Sequence, residues 1–276
     1  MSKSQIIIAI SGIISVILLF TLPKVIVQDK RSLKEENHEK HDTSESHGPD
    51  MKKIHKVELS DNDRNIIENL RKSLLSVSIK EKKLIFADSL VKTYRKIHQY
   101  DSAAKYSELI SSLEPSELNW AKTADVYVEA YNFSIDDQKQ AFNEKAGEYY
   151  RKILEKSPKN LAIKSKLALT YIGSQTPMEG IKILREVLAE DPKNESAIYN
   201  LGILSIQSGQ YDKAIKRFEE LIKINPKNSG GQFYLGVSYM NAGDKANALD
   251  AFKKAKTLDK DPEFQATVDG YIKELQ

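Results

Sequence analysis

The triplet Pro-Lys-Asn begins at Pro158, Pro192 and Pro226, 34 residues apart each time. A fixed period of that length is the signature of one supersecondary unit copied along the chain, in which each copy buries its apolar face only against its neighbours. The unit from Glu195 to Asn228, ESAIYNLGILSIQSGQYDKAIKRFEELIKINPKN, reads as two amphipathic helical segments joined at Gly209 and closed by Asn225-Pro226. Leu201-Gly202 and Ala214 supply minimal side chains, while Tyr211, Phe218 and Leu221 supply large ones. Small residues let two antiparallel helices approach and large ones hold the crossing angle, so the spacing predicts a helical hairpin with Gly202 and Ala214 at its close approach.

This pattern of small and large residues resembles the tetratricopeptide repeat family. Ile198, Leu201, Gly202, Gly209, Tyr211, Ala214, Phe218, Leu221 and Pro226 fill the family's positions, and Ser205 stands where an aromatic residue is usual on the first helix. The resemblance implies an all-α solenoid of about five hairpins over residues 61–276. A degenerate first copy covers 84–116, with Leu90, Tyr94, Tyr100, Ala103, Ile110 and Pro115 in register and Val91 in place of a small residue. The second, 117–160, carries Trp120, Ala124, Tyr127, Ala146, Tyr150 and Pro158, with ten surplus residues placed at about Ala130 to Gln140. The surplus is either a binding loop or a lengthened first helix packed on a neighbour. The third copy, 161–194, has Leu167-Ala168, Tyr171 and Leu184, with Gly180 where alanine is usual. The fourth is 195–228. The fifth, 229–262, has Leu235-Gly236, Tyr239, Gly243, Ala248, Phe252 and Ala255. Ile66, Ile67, Leu70, Leu74 and Leu75 predict an entry helix within Asn62 to Ser78, and residues 263–276 a capping helix that covers the last exposed core.

Ahead of the repeats the composition changes twice. No charged residue lies between Ser4 and Pro23, and roughly 20 apolar residues span a bilayer. With no small-x-small cleavage pattern after the apolar run, residues 1–27 are expected to be a retained transmembrane signal anchor, with residues 4–23 in the lipid. Lys24, Lys30, Arg31 and Lys34 after the span outnumber Lys3 and the α-amine before it, which favours a cytoplasmic body. Resemblance to single-pass bacterial tetratricopeptide proteins implies the opposite, an inner-membrane protein with its body in the periplasm, and this is the orientation adopted. Residues 28–60 mix both charges with Ser, Asn and Gly48-Pro49, the composition of a disordered linker. Its histidines, His38, His41, His47 and His55, match no closed metal-site spacing, so a polar tether is expected and no metal.

The chain has no cysteine, which excludes disulfides and thiolate chemistry, and a net charge of +3 with both signs interleaved, which gives no basis for a nucleic-acid partner. No phosphate loop, nucleophile elbow or metalloprotease motif is present. His98 stands alone at a turn, and Glu219-Glu220 falls on a face expected to be exposed. The expected function is non-enzymatic, with no cofactor and no small-molecule substrate. Stacked hairpins expose a concave wall built from first helices. In this register the wall displays Leu169 and Ile172, then Tyr199, Ile203 and Ile206, then Phe233, Val237 and Met240. Some of these would instead lie under the terminal helix. The Lys and Asn clamp that co-chaperones of the family use on a terminal carboxylate is not reproduced, since Ser165, Leu169, Tyr199 and Ile203 occupy its sites. The expectation is a membrane-tethered scaffold or chaperone-like adaptor that binds protein partners in this groove, assisting translocation or envelope assembly. A rigid subunit of a stable membrane complex is the alternative.

Overall fold

The computed structural model describes residues 59–134 and 138–276. The expected membrane span and the linker up to residue 58 lie outside the described residues, and among the described residues no helix is long and apolar enough to cross a membrane. Among the described residues twelve helices follow one another: α1 (Asp61–Ser76), α2 (Lys80–Lys96), α3 (Tyr100–Leu113), α4 (Glu117–Phe133), α5 (Lys139–Lys156), α6 (Leu161–Ile172), α7 (Pro177–Glu190), α8 (Glu195–Gln207), α9 (Tyr211–Ile224), α10 (Ser229–Asn241), α11 (Lys245–Leu258) and α12 (Pro262–Leu275). Each packs on the next, and the first helices α6, α8 and α10 also touch one another across the intervening second helices. The result is two layers, with first helices forming one wall.

The Pro-Lys-Asn triplet has a local physical reason. Its proline is the second residue of a turn closed by Asn160 N–H to Ser157 C=O (3.0 Å), Asn194 to Asp191 (3.1 Å) and Asn228 to Asn225 (3.1 Å). Proline presets the φ that this turn position needs. The asparagine then caps the next helix, its side chain accepting from the N–H of Ile163, Ala197 or Gly231. One triplet therefore ends one hairpin and starts the next. In the fourth and fifth hairpins the turn uses a positive φ, supplied by Gly209 (+70°) and Gly243 (+84°). In the first hairpin His98 takes that place at +59°, a conformation open to histidine at some cost. It is exposed, with Nδ1 3.0 Å from the Tyr100 hydroxyl.

The close approach inside a hairpin differs from the expected pairing of Gly202 with Ala214. A Cβ on Gly202 would lie 2.6 Å from the Phe218 ring, and one on Gly236 2.7 Å from the Phe252 ring. Glycine on the first helix is thus a seat for the aromatic ring of the second, while Ala214 and Ala248 are fully buried elsewhere in the contact. The third hairpin inverts this: a Cβ on Gly180 would lie 2.3 Å from the Ala168 carbonyl. There backbone meets backbone, which explains glycine where alanine is usual.

The surplus residues of the second hairpin are mostly helix. α4 and α5 have 17 and 18 residues, against 13 and 14 in α8 and α9, about one extra turn each. The added turns grip the end of α6: Tyr131 OH (3.2 Å) and Gln140 Nε2 (3.4 Å) donate to the Gly173 carbonyl, and Asn143 Nδ2 donates to that of Thr170 (2.7 Å). The added turns fall on both helices rather than on the first alone, as the lengthened-helix reading had it, and residues 135–137 between them lie outside the described residues.

The core is segmented. One cluster runs from Ile67 to Leu167 and a second from Ile198 to Val268. Between them lies a third of five buried residues, Ala168, Leu184, Val187, Ala197 and Leu201.

Candidate partner-binding wall

The wall of first helices changes character along its length. On α2 and α4 it carries ion pairs: Lys92 with Asp88 (2.6 Å), then Arg95 with Glu129 through two parallel contacts (2.5 and 2.8 Å). Two parallel bonds are the strong geometry for a guanidinium and a carboxylate. Burial raises the Glu129 pKa, against the opposing pull of Arg95. Asp125 on α4 reaches forward to Lys166 on α6 (2.7 and 2.8 Å) and accepts from the Tyr150 hydroxyl (2.6 Å). The charges here are largely compensated within the wall itself.

From α6 onward the wall is apolar. Leu169 is 43% exposed, and Ile172, Tyr199 and Met240 are partly exposed. Ile203, Ile206, Val237 and Phe233 are buried. Phe233 sits 5.9 Å from the Phe264 ring and 5.2 Å from that of Tyr271, both on α12, so the terminal helix occupies the surface that the register assigned to a ligand. Tyr199 meets Phe218 and Tyr234 edge-on at 6.0 and 5.5 Å, and its hydroxyl is hydrogen-bonded to that of Tyr234. Burial raises its pKa well above the ordinary tyrosine value. The structure thus brings Tyr199 and Phe233 into one aromatic cluster, since Phe233 also lies 5.1 Å from Tyr234. Among the eight residues of the expected groove, only Leu169, Ile172, Tyr199 and Met240 keep surface for a partner.

Spacing alone could not separate these four from the buried four, because all eight share one helical stripe. The charged half of the wall was also missed as a unit. Its signal is Asp88, Lys92 and Arg95 at helical spacing, repeated by Asp125 and Glu129 on the next first helix. Glu219, expected on an exposed face, is partly buried and accepts from Tyr239 OH (2.8 Å), a contact that with burial raises the Tyr239 pKa to about 12. No group of three or more potential metal ligands occurs among the described residues.

The family model for the tetratricopeptide repeat matches residues 172–232 and 205–268. Residues 172–268, about a third of the chain, therefore match the tetratricopeptide repeat. Among solved structures, a tetratricopeptide repeat protein from Parabacteroides merdae shares the fold, with 19% identity and a TM-score of 0.54 over 78% of this chain and 87% of that one. A MamA protein matches at 19% identity and a TM-score of 0.45, over 68% of this chain and 96% of its own. YrrB, described as a tetratricopeptide protein with an unusual peptide-binding site, matches at 15% identity and 0.43, over 74% and 99%. No curated protein sequence matches the chain. Tetratricopeptide repeat proteins are typically non-enzymatic scaffolds.

Proposed function

We propose that this tetratricopeptide array is a non-enzymatic scaffold that holds a protein partner on its first-helix wall while residues 4–23 tether it to a bilayer. The observation that carries the reading is Leu169, a large apolar side chain 43% exposed where the charged and apolar halves of the wall meet. Ile172 on the same helix and Tyr199 on the next first helix are partly exposed, and Lys166, also on α6, pairs with Asp125. An amphipathic segment fits there, its apolar face on Leu169 and its polar face along the ion-pair row. The charges of that row are paired, so they contribute register more than net attraction. Tethering would raise the effective concentration of partners in the same membrane without adding contacts. In this reading the body would lie on the periplasmic side of a bacterial inner membrane, where such a scaffold would serve exported or envelope proteins.

A photo-crosslinker introduced at position 169 of the full chain in cells tests the wall, with position 253 on α11 as control. A discrete adduct from 169, absent from 253 and lost in the variant Tyr199→Ala, is expected. Equal adducts from both positions would discard the wall. Protease digestion of cells with an opened outer barrier tests the side: digestion of the body supports export, whereas protection alongside a cytosolic control places it in the cytoplasm.

A further inference from the structure

The turn between α1 and α2 is built against the local rules that the other helices follow. Leu75, one residue before the end of α1, is 86% exposed, the most of any large apolar side chain among the described residues, and Ile79 follows at 52%. Ile79 is the N-cap of α2 and gives it no side-chain hydrogen bond. Serine, asparagine or aspartate side chains cap seven of the other helices. An aliphatic residue at that position forgoes a stabilising bond, and here it gains little burial in return. The charges are as unusual. Lys80, Lys82 and Lys83 open α2, where the helix dipole disfavours cations, and Lys72 lies near the end of α1. Glu81 is the one carboxylate between Lys72 and Lys83. Among the described residues none of these four lysines has an ion pair.

Exposed aliphatic side chains flanked by unpaired lysines match the interface of an anionic bilayer, where the aliphatics enter the acyl boundary and the ammonium groups stay among the phosphates. We propose that the α1–α2 turn docks on an anionic lipid surface, with Leu75 and Ile79 in the interface and Lys72, Lys80, Lys82 and Lys83 around them. The proposal rests on the reading that residues 4–23 tether the chain to a bilayer. It adds a second, reversible contact that sets which end of the array faces the lipid. Reach is sufficient, because residues 24–58 extend to at most about 120 Å, against about 24 Å for the length of α1. Each lysine near an anionic surface favours the docked state on the order of fivefold, and the tether keeps the surface at high effective concentration.

The cysteine-free chain accepts a single label. Ser78→Cys, exposed between the two aliphatics, carries the environment-sensitive dye NBD in the full chain reconstituted into vesicles. One set is phosphatidylcholine alone, the other equal parts phosphatidylcholine and phosphatidylglycerol, and Lys253→Cys on α11 is the control. A blue-shifted emission at 78 with quenching by nitroxide-labelled lipid is expected in the mixed vesicles only, and neither at 253. Replacing Lys80, Lys82 and Lys83 together by Gln should lower the docked-to-free ratio on the order of a hundredfold. Ile79→Ser should lose the shift while melting no lower than wild type, because it restores a polar cap; this separates docking from unfolding. An unshifted label at 78 in a chain that co-floats with the mixed vesicles would overturn the docking and leave the tether standing, whereas a chain that floats with neither vesicle type fails both. An equal shift in both vesicle types would also overturn it, since cover by a second copy or by another segment of this chain needs no anionic lipid.

Discussion

Where α3 meets α4 the buried contact is a knot of hydroxyls: Thr123 Oγ1 lies 2.9 Å from Ser107 Oγ and 2.7 Å from Ser111 Oγ, and donates to the Ser107 carbonyl. Where α9 meets α10 it is a stack of rings, Phe218 on Tyr234 at 5.8 Å and 18°. Both junctions join a second helix to the following first helix, and both exclude water. The hydroxyl knot is specific, because each oxygen needs its partner; the ring stack is tolerant in angle but demands volume. The contrast extends to the wall, charged on one side of α6 and apolar on the other.

The comparison breaks most visibly at Phe218, which is fully buried. Phe218→Ala should cost about 3–5 kcal/mol and accelerate hydrogen exchange in α8, α9 and α10 while leaving α2 to α5 protected, since solenoid units couple mainly to neighbours. Uniform loss of protection would mean the two halves are one unit. Thr123→Val keeps the volume but leaves Ser107 and Ser111 without their shared partner, a loss of about 1–3 kcal/mol read as faster exchange confined to α3 and α4. A neutral result there would show that packing, not hydroxyl pairing, holds the first half. Asn194→Ala removes the cap between two hairpins and should cost about 1 kcal/mol, visible as fraying of the first turn of α8. The smallest effect is a gain: His98→Gly relieves a positive φ and should stabilise by up to about 1 kcal/mol, less the contact with Tyr100. A lower urea midpoint for that variant would make the His98–Tyr100 contact the stronger element.

Stacked helical hairpins were legible from Leu201, Gly202, Phe218 and their spacing, because the packing rule and the repeat act on the same residues. The triplet was legible as a period but not as a device; its asparagine is a cap only once the helix start is located. Gly202 could be read as a close approach, yet its true neighbour, Phe218, depends on ring orientation that spacing does not encode. Burial along the wall was the least legible feature. Leu169, Ile203 and Val237 share one repeat position 34 residues apart, yet only Leu169 is exposed, and Phe233 is covered by rings of α12.

The five-residue cluster between the two larger cores is the smallest of the three buried clusters. Seen as a beam rather than a fold, the molecule is two stiff rods spliced by a short neck at α7 and α8. A pull applied between the amino-terminal and carboxyl-terminal hairpins would concentrate its strain at that neck, which would yield before either rod.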